Sequence, residues 1–323
     1  MRTRIGQLVI ALAGILALLL VIGYLPMPSR TYFWDRAYDT GHILVFGLVT
    51  VLILKGANSL FADRFLAKQY VAAMSLAFSV GVAVEVWQEN HHRSAEWIDA
   101  LNDLIGILAF SAVCAIFDRR IKEPRLGVSK RTVLASFAIG VVVIGIMPLL
   151  NTAWQYSART HILPRLIDFR RPWEGIFFHV QSADFDVIDS PISWPEDAVA
   201  AHLVVGRLTA HPGRYPGFVM HEPHPDWRGY HYLELELFYV ESEARQFVLR
   251  VHDAQQSNYE KDRFRLKVLL QPGYQKIAVP LSDIQSAPEG RQMDLSQIAG
   301  FSLFTADLDK SVELLIGDVR LAR

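Results

Sequence analysis

The sequence predicts an α-helical membrane bundle of about five transmembrane helices followed by an all-β jelly-roll or β-sandwich domain. Two observations carry that reading. Up to about Leu150 the chain is a series of apolar runs broken by short polar loops, whereas beyond it apolar residues thin out and alternate with charges. The hydrophobic pattern thus changes from helix-length runs to a period of two partway along the chain. The averages, 51% hydrophobic residues and a formal net charge of −1, describe neither half. Near-neutral charge also argues against nucleic acid as a partner, since phosphate-binding domains carry a strongly basic face. The only cysteine, Cys114, lies in an apolar run, so the β half has no intrachain disulfide and rests on its core. The expected organisation is a helical membrane domain over 1–152, an interfacial linker over 153–170 and an extracytoplasmic β-sandwich over 171–323.

Five runs reach the roughly 17–25 residues that cross a hydrocarbon core: Ile5–Tyr24, Asp39–Lys55, Tyr70–Gln88, Ile98–Phe117 and Val133–Leu150. Arg2 and Arg4 precede the first as they would a signal peptide. However, Tyr24-Leu-Pro-Met-Pro offers no small-residue cleavage site, so a retained anchor is expected. With the N-terminus cytoplasmic, the inner segments hold eleven Lys and Arg and the outer loops hold only Arg30, Arg36 and Arg93. That asymmetry fixes the orientation at an inner or plasma membrane. Five spans then leave everything after Leu150 periplasmic or extracellular. Trp154 and Tyr156 suit the aromatic belt of the outer face.

The polar residues of this half are its most informative feature. Glu85 and Gln88, three apart, share one face at the end of the third span. Asp99, Asn102, Asp103 and Gly106 follow i, i+3, i+4, i+7 spacing and form one stripe at the start of the fourth. His42 lies near the start of the second, so the orientation gathers all of them in the outer leaflet. Ionisable groups inside spans are expensive and mark functional sites by default. The same residues serve equally as interhelical hydrogen-bonding groups or, for Asp99, as a helix N-terminal acid. His91-His92 beside Glu89 hints at metal, but adjacent histidines point apart on a helix and no spaced ligand set accompanies them.

The block Glu85-Val-Trp-Gln88, Arg93, Asp99, Asp103 and Gly106, with Asp39-Thr-Gly-His42 and Phe46 before it, resembles the signature of the VanZ-like membrane family. The resemblance covers roughly residues 1–120. Asp103 stands at the family's Asn position, Phe110 replaces a second Gly, and the Asp39–His42 spacing is one residue short with Thr for Lys. The resemblance implies a cell-envelope role linked to glycopeptide resistance, and it locates a site without naming a reaction.

From about Asp168 the pattern is that of half-buried strands. Tyr232–Tyr239 turns Leu233, Leu235 and Leu237 one way and Glu234 and Glu236 the other. Gln246–His252 and Arg263–Leu270 alternate likewise. Further strands are expected at Ala201–Leu208, Gln275–Val279, Phe301–Thr305 and Val312–Leu321, with turns at Pro212-Gly213, Pro272-Gly273 and Pro288-Glu-Gly290. Evenly spaced short strands read as an antiparallel sandwich, with no helical period of useful length among them.

The landmarks Tyr215-Pro-Gly217, Asp226-Trp227-Arg-Gly229-Tyr230, His252-Asp253, Tyr259, Asp262-Arg263-Phe264 and Gly317-Asp318-Val319 resemble the galactose-binding-like jelly rolls of carbohydrate-binding modules. The resemblance implies a lectin-like module without catalysis. Sugar binding needs flat aromatic faces and planar polar groups. Trp227, Tyr230, His252, Asp253, Tyr259, Arg263 and Arg291 supply these types near strand ends, although Trp and Tyr in a small sandwich also serve as packing. Asp318, with an upstream acid such as Glu174 or Asp184, could hold a structural Ca²⁺ through oxygen ligands. No nucleophile elbow, Walker loop, dinucleotide fingerprint or spaced zinc set occurs.

Three functions compete. The favoured one is a non-catalytic envelope protein whose outer domain binds a polysaccharide or lipid-linked glycan beside the polar outer-leaflet site, with membrane lipid as its other partner. The alternative is a membrane enzyme acting on a lipid-linked substrate, with Glu85 as general acid or base, His42 assisting and Asp99 orienting. A transporter is the third, and the lack of an inverted repeat counts against it.

Overall fold

The computed structural model describes residues 2–24, 28–29, 31–60, 66–89, 97–118, 120–121, 128–191, 204–257 and 259–323. They divide into two compact units, Met1–Trp154 and Gln155–Arg323. The first is helical: α1 (Arg2–Tyr24), α2 (Tyr32–Leu60), α3 (Leu66–Glu89), α4 (Trp97–Phe117) and α5 (Val128–His161), whose last turns belong to the second unit. All five are long and apolar enough to cross a membrane. Their ends outrun the apolar runs because flanking polar residues suit the termini. Asp35 lies in the first turn of α2, and Arg159 and His161 lie in the last turn of α5, where acids and bases respectively oppose the helix dipole.

Large apolar side chains cover the outside of this unit, with Ile10, Phe117 and Ile144 each more than two-thirds exposed. Inside, Phe46, Val49, Ala77 and Ile107 are fully buried between α2, α3 and α4. The closest packing is α4 on α2. A Cβ on Gly106 would run into the Ile43 carbonyl oxygen, and one on Gly47 would run into the Phe110 ring. Small residues at such crossings let backbones approach where no hydrophobic force drives helices together. At the other end of α3 and α4, the Tyr70 hydroxyl donates to Asp118 (3.1 Å). Arg120 forks onto Asp118 and donates to Gln69 (2.8 Å).

The second unit is a sandwich of two antiparallel sheets. One runs in the order β3 (Ala183–Asp189), β4 (Val204–Ala210), β11 (Val312–Ala322), β6 (Tyr232–Tyr239) and β9 (Gly273–Pro280). A short β1 (Arg165–Ile167) also pairs with β11, beyond the part that β4 covers. The other runs β2 (Phe178–Gln181), β5 (Gly217–Met220), β10 (Ile298–Thr305), β7 (Arg245–Asp253) and β8 (Phe264–Leu270). Period-two alternation sends Leu233, Leu235 and Leu237 of one sheet against Phe247, Leu249 and Val251 of the other, all at most 1% exposed. Each such side chain contributes about 2 kcal/mol by leaving water.

β6 has the bounds expected from its alternation, and β7 to β11 depart from theirs by one to three residues. β1, β2, β3 and β5 were not expected, and residues 201–203 of the strand expected at Ala201–Leu208 lie outside the described residues. The strands are interrupted by a 3-10 helix at Pro172–Phe177 and by α6 (Leu281–Ser286), each too short to show a helical period. The stretch 153–170, expected as a linker, holds the last turns of α5 and strand β1. Tyr156 there packs edge-on against Phe177 at 5.2 Å, and its hydroxyl donates to Glu222.

Candidate functional site

Strand register builds a cleft on the outer face of the five-stranded sheet. Because core and surface side chains alternate, one cross-strand row places His179, Val219, Ser302, Arg250 and Arg265 side by side. The next outward row places Gln181 and Phe304 across Gly217. Arg263 and Glu260 from the β7–β8 loop and Tyr215 before β5 complete a trough of about 230 Å³. Its aromatic end is a T-shaped pair of Tyr215 on Phe304, with centroids 5.7 Å apart and Tyr215 42% exposed. Arg250 lies over the Phe304 ring at 5.7 Å. Gly300 keeps the floor low: the His252 ring crosses it with Cε1 only 2.7 Å from where a Cβ would stand.

The cleft is electrostatically unfinished. Arg250 Nε, Arg263 Nε, His252 Nδ1 and Ser302 Oγ are buried without a hydrogen-bond partner among the described residues. Buried polar groups are ordinarily satisfied, so such a set is where water or a ligand would complete the hydrogen bonding. Arg250 stands directly opposite Arg265, a like-charge pair that costs the sheet stability. Burial and the charges of Arg263 and Arg265 press Arg250 below the ordinary arginine pKa. Burial, then Arg250 and Arg263, push His252 down to about 4 against the pull of Asp253, so the imidazole is neutral at pH 7. The one carboxylate lining the cleft, Glu260, is paired with Arg265.

Of the residues expected to bind sugar, Arg263 lines this cleft and His252 adjoins it. Tyr259 is 76% exposed on the loop that supplies Glu260 and Arg263. Four others lie elsewhere. Trp227 is fully buried in the core, its indole N–H donating to the His224 carbonyl at 2.8 Å, so it presents no face to a ligand. Tyr230 packs on the core beneath Arg323, 5.8 Å from its ring centre, in a separate cavity with Leu163 and Arg320. Asp253, 1% exposed, and Arg291 are committed to each other. Arg291 forks onto Asp253 (2.6 and 2.9 Å) and reaches Asp262 (2.5 Å), while the Asp294 N–H donates to Asp253 (2.8 Å). The brace ties two loops together. Sequence reading missed Arg250, Arg265, Ser302 and Phe304 as site residues. Alternation turned both arginines outward, but only the register brings them to one place.

Asp318 and Glu174, expected to hold Ca²⁺, do fall in one buried acidic group, joined by Asp168; all three are at most 2% exposed. A register shift between Ile316 and Asp318 disturbs the β11–β6 ladder there. Guanidinium groups bridge these acids. Arg171 donates to Asp168 (3.1 Å) and Glu174 (3.3 Å), and Arg165 lies 3.5 Å from Asp168 and 3.7 Å from Asp318. The oxygens are of the type Ca²⁺ takes. Arg165 and Arg171 bridge them, and among the described residues these acids are not a group of three with ligand atoms within 4.8 Å of one another. Burial, then the Asp168 charge, push Glu174 up to about 7.

The helical unit assembles the polar cluster its sequence implied. His42 Nδ1 lies 2.8 Å from Asp103 Oδ1 and 4.0 Å from Glu85 Oε1, and all three residues are buried. Asn102 donates to the Asp39 carbonyl (2.9 Å), and Asp39 pairs with Arg36 (3.0 Å). Gly81 leaves room beneath the site, where a Cβ would run into an Asp103 carboxylate oxygen and displace it. The acid holding His42 is therefore Asp103 rather than Asp99, which is buried one turn earlier on α4. The ligand atoms of His42, Glu85 and Asp103 lie within 4.8 Å of one another, the one such group of three among the described residues. The Gln88 side chain and Arg93 lie outside the described residues, as do His91 and His92.

No protein-family model matches the chain, and no curated protein matches it in sequence. Among solved structures, 49% of the chain is similar to 94% of the family 11 carbohydrate-binding module from Clostridium thermocellum in complex with a β-1,3-1,4-mixed-linked tetrasaccharide. Identity is 12% and the TM-score 0.38. An exo-β-agarase is similar over 49% of this chain and 24% of its own, at 18% identity and a TM-score of 0.38. The CBM22-1–GH10 modules of xylanase 10B from Clostridium thermocellum, complexed with xylohexaose, follow at 8% identity and a TM-score of 0.29, over 46% of this chain and 26% of theirs.

Proposed function

We propose that this chain is an integral membrane protein of the cell envelope whose β-sandwich binds a glycan in the cleft between Tyr215 and Arg263. The observation that carries the reading is the cleft's combination of an aromatic end, where exposed Tyr215 stands on buried Phe304, with buried, unpartnered donors from Arg250, Arg263 and Ser302. A sugar offers an apolar ring face to the first and hydroxyl oxygens to the second. Five long apolar helices with outward-facing Ile, Leu and Phe support the membrane anchor, and the eleven-to-three basic asymmetry supports a cytoplasmic N-terminus.

The test is retention of the full-length protein, in detergent micelles, on a panel of immobilised polysaccharides. Binding to at least one of them, lost in Tyr215→Ala and kept in Tyr230→Ala, is the expected result. Retention by none, or equal retention of the Tyr215→Ala protein, overturns it.

A second reading is favoured by the buried His42–Asp103 pair with Glu85 beside it. An imidazole oriented by a carboxylate and facing a second acid is the layout of general acid–base chemistry. On this reading Glu85 and His42 transfer protons at a lipid-linked substrate, and Asp103 positions His42. Unchanged envelope phenotype in both Glu85→Gln and His42→Ala would sink it.

A further inference from the structure

We propose that the ligand of the β-sandwich cleft is an acidic glycan, one whose sugars carry carboxylate, sulfate or phosphodiester groups. This rests on the glycan reading of the cleft and goes beyond it by naming the ligand's charge. Neutral sugars are commonly held by a mixture of acids, amides and arginines, because a hydroxyl both donates and accepts. The inventory here, beside the amide of Gln181, is weighted to cationic donors. Arg250, Arg263 and Arg265 bring three guanidinium groups into one trough, and the single carboxylate among its lining residues, Glu260, is taken by Arg265.

Arginine presents only donors, in a planar fork that matches a carboxylate or sulfate edge. Nε of both Arg250 and Arg263 is buried and unpartnered, and Ser302 Oγ lies unpartnered between the β5 and β7 rows. An anion seated among them would complete these donors together. It would also relieve the repulsion between Arg250 and its cross-strand neighbour Arg265. Conserving sheet stability alone would not place two arginines directly opposite each other and bury part of one. Glu260 offsets the charge of Arg265, and a bound anion would offset that of Arg250. Tyr215, exposed at the trough's end and backed by buried Phe304, then supplies the ring-stacking surface that makes the ligand a sugar rather than any polyanion.

The experiment measures affinity of the full-length protein in detergent micelles for oligomers matched in length. These are a uronate, a sulfated and a phosphodiester-linked saccharide, a neutral saccharide and polyglutamate, each at low and high salt. At least one acidic saccharide should bind about tenfold or more tightly than the neutral one, and weaken as salt rises. Arg250→Gln and Arg263→Gln should each lower that affinity by about 10- to 100-fold, the worth of a charge-assisted hydrogen bond. Both variants should melt no lower than the parent, which separates lost recognition from lost folding. Equal, salt-insensitive affinity for neutral and acidic saccharides overturns the acidic ligand and leaves the glycan cleft standing. Polyglutamate binding as tightly as the best saccharide overturns the sugar specificity, and binding to none of the five overturns both readings.

Discussion

Glu174 offers a measurement whose sign depends on what neutralises the acidic cluster. The carboxyl is 2% exposed. Burial first, then the Asp168 charge, push it up to about 7 from an ordinary 4.5, against the Arg171 hydrogen bond. A folded-state pKa above the unfolded one means that the group's stabilising contribution is full below pH 4.5 and is lost as pH rises to 7. At about 1.4 kcal/mol per pH unit of that gap, the loss amounts to about 3 kcal/mol. Glu174→Gln removes the titration, so relative to the parent it should gain about 3 kcal/mol between pH 4.5 and about 8. For a unit of this size the gain equals roughly 6–12 °C in melting temperature. The assay is circular-dichroism melting of full-length parent and variant in detergent with a chelator, at both pH values. Only the change in the difference between them matters, since every other group titrates in both. A parent–variant difference that stays constant with pH refutes the reasoning. A difference that reverses when Ca²⁺ replaces the chelator would show a cation holding Glu174 ionised, contrary to the arginine bridging.

Three further outcomes follow from named contacts. Gly106→Ala forces a methyl group into the Ile43 carbonyl and should cost the helical unit about 1–3 kcal/mol by thermal unfolding in detergent. Gly140→Ala, with nothing within 4 Å of the added atom, should be neutral. Arg291→Met leaves Asp253 a buried charge and should destabilise the β unit by about 3 kcal/mol or more, while the folded fraction keeps its glycan affinity, as binding measured on the gel-filtered protein would show. Trp227→Ala opens a core cavity worth about 3–5 kcal/mol; proteolytic susceptibility should rise sharply, whereas Trp227→Phe should retain both fold and binding.

Much of the architecture was legible because it is periodic. The apolar runs gave the five helices, and the Leu233, Leu235, Leu237 alternation gave β6 its bounds. The i, i+4 pair Asp99 and Asp103 located the polar face of α4, but which of the two meets His42 depends on helix rotation and on Gly81 yielding space, neither of which spacing encodes. β2 and β5 are four residues each, too short for alternation to rise above chance. The cleft was hidden for the same reason, since Ser302 reaches His179 only through β5. Trp227 misled because an aromatic residue beside turn signals reads as exposed, whereas the His224 carbonyl satisfies its indole and lets the ring go inward. Arg291 and Asp253 have the residue types of a sugar site and are consumed by each other.

The three-residue β1 has a mechanical consequence. A pull transmitted along the chain out of α5 first meets the Tyr156 and Arg159 contacts with Glu222 and then reaches β1 at Arg165, the first residue of that strand. β1 is held by its register against Arg320 and Val319, by the Leu321 N–H on the Pro164 carbonyl at 2.8 Å, and by Arg165 between Asp168 and Asp318. Tension reaching β1 would therefore load backbone hydrogen bonds, ion pairs and the buried Leu166 and Ile167 side chains together at one small patch. The patch is a strain-bearing joint in which polar and apolar contacts share the load.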